Sequence, residues 1–228
     1  MTRLDEQTQE GQYRRLLEVR DRYGVAKLGL MANQSWHDDP RRLVFMLARY
    51  KFVSKMLSGL ENVLEVGCGD AFASRIVMQE VGRLSITDFD PIFVADAEDR
   101  QAEGWQFADR FVHDLLAAPI SGDYDAIYAL DVLEHIRRED ESLFLKNLLA
   151  GLGPHGTLII GMPTLESQAY ASPLSREGHV NCKSSPDLSA VMRNYFHNVF
   201  MFSMNDEVVH TGYHKMAHYI FSLCCGKR

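Results

Sequence analysis

The chain has 228 residues, 46% of them hydrophobic and 24% charged, which is typical of a globular protein with one domain and some elaborations. Its formal net charge of −7 at pH 7 argues against a nucleic-acid partner, because phosphate backbones are bound by clustered Lys and Arg. No apolar run approaches the ~18 residues of a membrane helix, and the N-terminus lacks the apolar core of a signal peptide. The four cysteines are typical of a reducing compartment in a chain of this length, so we expect a cytoplasmic protein without membrane association.

The first 60 residues are predicted to form an N-terminal helical segment. Apolar residues at helical spacing predict a helix over 8–31. A polar break follows at 33–40, with the sequence NQSWHDDP. The next stretch, RRLVFMLARYKFVSKMLSGL, is strongly amphipathic. Pro40 stands where a proline opens a helix, and Gly59 stands where a glycine ends one.

Beyond this segment, short apolar runs alternate with helical stretches. The runs predicted as strands lie at 62–67, 84–88, 109–113, 124–130 and 156–162. RIVMQEV, PIFVADAEDR and ESLFLKNLLAGL are predicted helices between them, and this alternation indicates a parallel sheet. NVFMFSMND and MAHYIFSLCC, near the end, have no helix between them and are predicted to pair antiparallel. The expected fold is α/β: a doubly wound, mostly parallel seven-stranded sheet with an antiparallel terminal hairpin and an N-terminal helical extension.

The end of the first strand, in VLEVGCGD, combines an acid with two glycines. In a parallel sheet, ligands bind beyond the carboxyl ends of the strands, where the strand order reverses. Gly67 and Gly69 let a ligand approach the backbone closely. Asp88, at the end of the second strand, suits a bidentate hydrogen bond to the two hydroxyls of a ribose; the alternative is a helix N-cap. Glu65 is costly in a buried strand unless a cation or a donor meets it.

Two features disfavour a nicotinamide oxidoreductase. A G-x-G-x-x-G fingerprint starting at Gly67 requires a small third residue, where this chain has Phe72. A carboxylate at Glu65 would also repel a pyrophosphate. The same carboxylate favours an ammonium or another donor-rich ligand.

The ordered motifs resemble those of the class I S-adenosylmethionine-dependent methyltransferases. VLEVGCGDA resembles the first motif, and ITDFDP, VHDLL, YDAIYALDVLEHI and GPHGTLIIGMP follow in the order and spacing of the family. The resemblance covers about 60–165 and implies a methyltransferase domain over 61–228. One departure is Ala71, where the family often has a further glycine.

The resemblance implies ten residues that bind S-adenosylmethionine: Glu65, Gly67, Cys68, Gly69, Asp88, Phe89, His113, Asp114, Leu115 and Leu130. The first four would line the methionine part of this cofactor. Asp88 would hold the ribose, with Phe89 against the adenine, and Asp114 would accept a hydrogen bond from the adenine amino group. Asp114 also has an alternative interpretation as a turn residue. Leu130 and Asp131 would lie near the sulfonium.

Candidate catalytic residues follow from the chemistry of a hydroxyl acceptor, which gains from a general base such as histidine. His135 follows the fourth strand, where the family commonly has a histidine that is often structural. His179 and Asn181 lie in a long polar loop after the fifth strand, and long loops at this edge are usually functional. We therefore predict His179, His135 and Asp131 as catalytic and Asn181 as substrate-binding. A surface loop with a capping asparagine is the alternative.

Other histidines and one tryptophan are candidates for the acceptor side. His210, His214 and His218 have a spacing that would align on a helix, but their surroundings favour a turn, so we expect no metal site. His210 and His214 are predicted to border the acceptor pocket. Related enzymes often cover the site with N-terminal helices, which implies a lid containing Trp36. Core packing by Trp36 is the equal alternative.

The sequence thus predicts a methyltransferase for a small-molecule acceptor, with O-methylation of a sugar or a phosphate-bearing metabolite as the leading hypothesis. DDPRR and S-P-x-S-x-x-G-H-V-N loosely resemble enzymes that tailor surface polysaccharides. A methyltransferase for RNA or protein, and a non-catalytic module that binds S-adenosylmethionine, are the alternatives. The sequence leaves the oligomeric state open, with a homodimer as one form.

Overall fold

The computed structural model describes residues 7–100 and 106–228. Its strands form one sheet of eight, in the order β3-β2-β1-β4-β5-β8-β6-β7. The strands are β1 (Asn62–Val66), β2 (Arg83–Asp88), β3 (Asp109–Val112), β4 (Tyr124–Leu130), β5 (Leu152–Pro163), β6 (Phe196–Asn205), β7 (Val208–His210) and β8 (Tyr219–Lys227). The helices are α1 (Arg14–Tyr23), α2 (Leu30–Asp38), α3 (Arg41–Met56), α4 (Ser74–Met78), α5 (Pro91–Asp99), α6 (Glu141–Ala150), α7 (Pro173–Gly178) and α8 (Ser185–Met192).

The sheet confirms the predicted α/β class. Strands β1 to β5 pair in parallel, and β8 lies between β5 and β6, antiparallel to both. The predicted antiparallel pairing of the last two long strands is therefore confirmed. The sheet has eight strands where seven were predicted, because three residues of the connecting segment form β7 against β6.

The N-terminal segment differs from the prediction in two places. The predicted helix over 8–31 is wrong in its extent, since α1 ends before Gly24, whose φ of +79° is incompatible with a continuing helix. The predicted break at 33–40 is also wrong, because α2 contains most of these polar residues. Pro40 directly precedes α3, as predicted. Residues 1–6 of the predicted segment lie outside the described residues.

Two apolar clusters lie on opposite faces of the sheet. Successive side chains of a strand point to opposite faces, so Ile127 belongs to one cluster and Tyr128 to the other. The second cluster packs against α3, where the ring of Phe52 lies 4.6 Å from the ring of Phe221 and 5.0 Å from the ring of Phe202. Helix α3 is thereby fixed against the C-terminal strands.

This topology positions a site between β1 and β4. Strand order reverses at this pair. From β1 the sheet continues to β2 and β3 on one side, and from β4 it continues to β5 on the other. The loops after β1 and β4 therefore diverge and leave a crevice at the carboxyl edge.

In the described part of the chain, no helix combines the length and the apolar character that crossing a membrane requires.

Candidate functional site

A cavity of about 640 Å³ lies at this carboxyl edge. Nine of the ten residues predicted to bind a cofactor line it: Gly67, Cys68, Gly69, Asp88, Phe89, His113, Asp114, Leu115 and Leu130. The loops after β1, β2, β3 and β4 all contribute. The cavity is large enough for a nucleoside-sized ligand.

The turn after β1 has a backbone that requires glycine at two positions. Gly67 and Gly69 have φ values of +70° and +51°, and a Cβ on Gly67 would lie 2.3 Å from Cγ2 of Val132. Ala71, with φ of +50°, also adopts the left-handed conformation. This explains why a glycine suits the position of Ala71, because the cost of this conformation comes from the Cβ atom that glycine lacks.

Asp88 is almost completely buried and holds this turn in place. Its Oδ2 accepts a hydrogen bond of 2.9 Å from the backbone N–H of Gly69, and its Oδ1 accepts one of 3.0 Å from that of Asp90. The N-cap of α5 is Asp90, whose side chain accepts from the N–H of Ile92. The capping alternative for Asp88 is therefore wrong, and its carboxylate has lone pairs left for a ligand.

Glu65 does not line the cavity, in contrast to the prediction. Its Oε1 accepts a hydrogen bond of 2.7 Å from the hydroxyl of Tyr50, and its Oε2 accepts one of 2.8 Å from the hydroxyl of Tyr128. Burial raises the pKa of Glu65 to about 7. The acid therefore meets two phenols of the protein, and it influences the cavity through Tyr50, which does line it.

The loop after β3 fits both interpretations of Asp114. Oδ1 of Asp114 accepts a hydrogen bond of 2.8 Å from the N–H of Leu116, so the side chain closes a turn. Asp114 nevertheless lines the cavity. His113 also lines it, and its Nε2 lies 2.9 Å from the carbonyl oxygen of Ala118. The turn thus holds both side chains at the cavity wall.

Asp131 forms an ion pair at the end of β4. Its Oδ2 lies 2.7 Å from Nη1 of Arg49, and the guanidinium of Arg49 stacks over the ring of Tyr219 with 3.9 Å between them. Asp131 has φ of +56°, uncommon for a residue with a side chain. Because one carboxylate oxygen binds a permanent cation, Asp131 is suited to fixing charge rather than to accepting a proton.

His135 and His179 lie together, but only His135 lines the cavity. Their ring centroids are 5.2 Å apart. Burial, together with the neighbouring His135, lowers the pKa of His179. Glu134 is adjacent and fully buried, and burial with the neighbouring Asp131 raises its pKa well above its ordinary value.

Asn181 is buried away from the cavity, in contrast to the predicted substrate-binding role. Its Nδ2 donates a hydrogen bond of 2.8 Å to Oε2 of Glu141, and its Oδ1 accepts one of 3.1 Å from Nζ of Lys183. Lys183 and Glu141 form an ion pair of 2.7 Å. Asn181 therefore fixes the loop after β5 from within.

Three further predicted substrate residues also lie away from the cavity lining. Trp36 has 53% of its surface exposed, so the alternative of core packing is wrong as well. His210, in β7, has its Nε2 2.8 Å from Oδ1 of Asn205. His214 lies in the exposed turn before β8. The connection that carries these two histidines does reach the carboxyl edge, since the start of β8 pairs with the end of β5. It lies beyond β5 in the sheet, however, and therefore away from the cavity between β1 and β4.

Sequence reasoning missed the side chains that cover the cavity. Met31 from α2 and Met46 and Tyr50 from α3 line it from the N-terminal segment. Met31 contacts the glycine turn, since a Cβ on Gly69 would lie 2.6 Å from its sulfur. The buried acid at Glu65 signals that some donor is required, but its partner is set by tertiary packing.

Comparison with known proteins identifies a family. The chain matches the family described as "Methyltransferase domain" over residues 35–196. The ubiquinone biosynthesis O-methyltransferase of Xanthomonas axonopodis pv. citri (strain 306) is 27% identical over 151 residues, covering 64% of this chain and 62% of that protein. The match thus spans less than two thirds of that curated relative.

Solved structures share the fold. The N-methyltransferase NodS from Bradyrhizobium japonicum WM9, in complex with S-adenosyl-L-homocysteine, has a TM-score of 0.58 and 17% identity, covering 83% of this chain and 89% of that chain. The chain of the DhpI–SAM–HEP complex has a TM-score of 0.62 and 14% identity, covering 96% of this chain and 99% of that chain. At these identities the likeness establishes the fold alone.

Proposed function

This chain belongs to the methyltransferase domain family, and from that membership we propose that it methylates a small-molecule acceptor at oxygen. Its methyl donor is S-adenosylmethionine. When bound, this cofactor supplies a methyl group on a positively charged sulfur, which a nucleophile displaces in line with the carbon–sulfur bond. The protein's residues then have to bind the donor, align the acceptor and promote loss of the acceptor's proton.

The charge of the cavity carries this proposal. Among its described lining residues are four aspartates (Asp70, Asp88, Asp114 and Asp131) and no lysine or arginine. Such a lining attracts a sulfonium and an ammonium and repels a pyrophosphate. These aspartates therefore have the effect on charged ligands that the sequence analysis attributed to Glu65. The cavity fits S-adenosylmethionine, with Asp88 to hold the ribose and the glycine turn beside the methionine part.

The same charge favours an uncharged acceptor. A sugar hydroxyl or a phenol can approach these carboxylates at little electrostatic cost. A phosphate-bearing metabolite would be repelled by Asp70, Asp88 and Asp114, since Asp131 is already paired with Arg49. The curated relative acts in ubiquinone biosynthesis and is named an O-methyltransferase, which supports oxygen as the acceptor atom. Of the two acceptor classes expected from the sequence, we therefore propose the sugar, with a phenol as the second candidate.

His135 is the proposed proton acceptor on the acceptor side. Its Nδ1 lies 2.9 Å from the carbonyl oxygen of Gly178, and a carbonyl can only accept, so Nδ1 carries the hydrogen. Nε2 of the neutral ring then has the lone pair needed for a hydroxyl proton. His179 supports the ring of His135, and Asp131 holds charge near the methyl group.

The N-terminal segment is proposed as the cover of this site, ahead of a catalytic domain over 61–228. The start of α2 is held by two carboxylates: Asp70 Oδ2 accepts from the N–H of Ala32 at 2.7 Å, and Asp96 Oδ2 accepts from the N–H of Leu30 at 3.1 Å. These bonds place Met31 over the cavity. The cytoplasm remains the proposed location, supported by four free cysteines.

Calorimetry and a methyl-transfer screen test this function. We expect S-adenosylhomocysteine to bind with micromolar or better affinity and NAD to show no binding, because the lining repels a pyrophosphate. A panel of sugars, phenols and phosphate-bearing metabolites should show transfer to an uncharged hydroxyl. If the chain binds S-adenosylhomocysteine but transfers no methyl group to any compound of the panel, to RNA or to protein, the result would favour the non-catalytic module. Transfer to RNA or protein would favour the macromolecular alternative, and preferential binding of NAD would end the proposal.

A further inference from the structure

Three side chains with metal-binding atoms meet beside the cavity. Glu134, His135 and His179 each place one such atom within 4.8 Å of the other two. Glu134 and His135 share the short turn Leu133–His135 after β4, and His179 directly follows α7. Because His135 also lines the cavity, the cluster connects a buried carboxylate to the space where an acceptor binds.

In both histidines, Nδ1 is the ring nitrogen that forms a hydrogen bond to the protein. Nδ1 of His135 faces the carbonyl oxygen of Gly178 at 2.9 Å, and Nδ1 of His179 faces Oε1 of Gln168 at 3.0 Å. Each oxygen can only accept, so each Nδ1 carries the ring hydrogen and each Nε2 carries the lone pair. Metal-binding histidines almost always have their other ring nitrogen fixed by such a bond.

Glu134 has a buried carboxylate without a hydrogen-bond partner among the described residues. Its side chain is 0% exposed, and neither carboxylate oxygen accepts a hydrogen bond from the described residues. A buried carboxylate without a partner is costly. The cations of this region are paired elsewhere, Arg49 with Asp131 and Lys183 with Glu141. A bound ion would satisfy the carboxylate and both imidazole lone pairs at once.

We propose that Glu134, His135 and His179 bind a divalent first-row transition-metal cation. Two imidazole nitrogens and one carboxylate oxygen favour such an ion over Mg²⁺ or Ca²⁺, which prefer oxygen ligands. Three protein ligands leave a coordination position open, as in metal sites that act on a substrate. This inference departs from the expectation that the protein has no metal site.

The role of the ion rests on the proposed function. An ion held by Glu134, His135 and His179 would have a coordination position left for the acceptor's oxygen and would make its hydroxyl more acidic. The hydroxyl proton passes to water, the oxygen forms a bond to the methyl carbon, and the electron pair of the carbon–sulfur bond remains on sulfur. His135 then acts through the ion instead of accepting the proton itself.

Titration of the full chain, free of any histidine tag, with Co²⁺ tests the site. We expect one ion per chain by calorimetry, with visible absorption bands of a nitrogen- and oxygen-bound cobalt. Glu134→Gln and His179→Ala each remove a ligand and should weaken binding by about 100-fold or more, and Gln168→Ala, which frees the ring of His179, by roughly 10–100-fold. His155→Ala, at an exposed histidine of β5, should bind Co²⁺ like the parent chain.

The outcomes separate the site from the proposed function. Absence of Co²⁺ binding by the parent chain, or unchanged binding by both Glu134→Gln and His179→Ala, would overturn the metal site. Thermal melts and binding of S-adenosylhomocysteine without metal show whether each variant is folded, and Glu134→Gln preserves the side-chain shape. A parent chain that binds Co²⁺ but not S-adenosylhomocysteine would overturn the proposed function and leave the metal site standing.

Discussion

Replacing Asp88 with alanine should weaken the binding of S-adenosylhomocysteine by about 1–3 kcal/mol, or roughly 5- to 150-fold in the dissociation constant. The expected loss has two sources. The variant lacks the carboxylate that we propose for the ribose hydroxyls, and it frees the N–H of Gly69, so the turn beside the ligand loses its fixed position. Isothermal titration calorimetry of both proteins with S-adenosylhomocysteine measures the difference.

Asp90→Ala is the matched control for this change. Asp90 is an aspartate two residues further on, which caps α5 through the N–H of Ile92 and is not among the cavity-lining residues. Loss of the cap should cost about 1 kcal/mol of stability, while affinity for S-adenosylhomocysteine stays as in the parent chain. Equal affinity of Asp88→Ala and Asp90→Ala would remove Asp88 from the binding site.

Tyr128→Phe should reduce the free energy of unfolding by about 1–3 kcal/mol, because it leaves Oε2 of the buried Glu65 without a donor. The loss should depend on pH. Since the pKa of Glu65 is raised to about 7 from an ordinary value near 4.5, the folded chain holds a proton that the unfolded chain releases. Stability contributed by this group is therefore present below pH 4.5 and falls as the pH rises to 7.

The missing hydroxyl of Tyr128 affects the charged carboxylate most, so the destabilisation should be larger at pH 8 than at pH 5. Urea unfolding at both pH values measures it. Tyr170→Phe, at a tyrosine with 91% of its surface exposed, should change stability by less than about 0.5 kcal/mol at either pH. A Tyr128→Phe effect that is small, or equal at the two pH values, would show that Glu65 does not depend on this phenol.

The sheet was predictable because its signals are local. The buried strands β1, β2, β4 and β5 contain short apolar runs bounded by polar turns, as is typical of a parallel sheet, whereas β3 at the edge of the sheet is only partly buried. Helix α2 was not predictable in the same way. Its residues are mostly polar and exposed, so their composition is typical of a loop. The start of the helix is held by the distant carboxylates of Asp70 and Asp96, which accept hydrogen bonds from the backbone N–H groups of Ala32 and Leu30.

The residues of the candidate site also fall into a predictable and an unpredictable group. The cofactor-side residues follow strands in sequence, so their position at one edge follows from the topology alone. Asn181, Trp36, His210 and His214 depend on the paths of long connections, which the sequence does not determine. Glu65 was correctly expected to need a partner, but that partner comes from α3 and β4, and only the packed structure identifies it.

The contacts of α3 have a consequence for the order of folding. Its apolar face packs on Phe202 and Phe221, which leave the ribosome long after α3 itself. During synthesis the part of this face that packs on these two rings has no native surface to cover it, whereas the part that packs on α4 meets its partner soon after α3 itself. Pairings at a long distance along the chain are slow to form. Helix α3 therefore completes its packing on the C-terminal strands only when translation is almost complete.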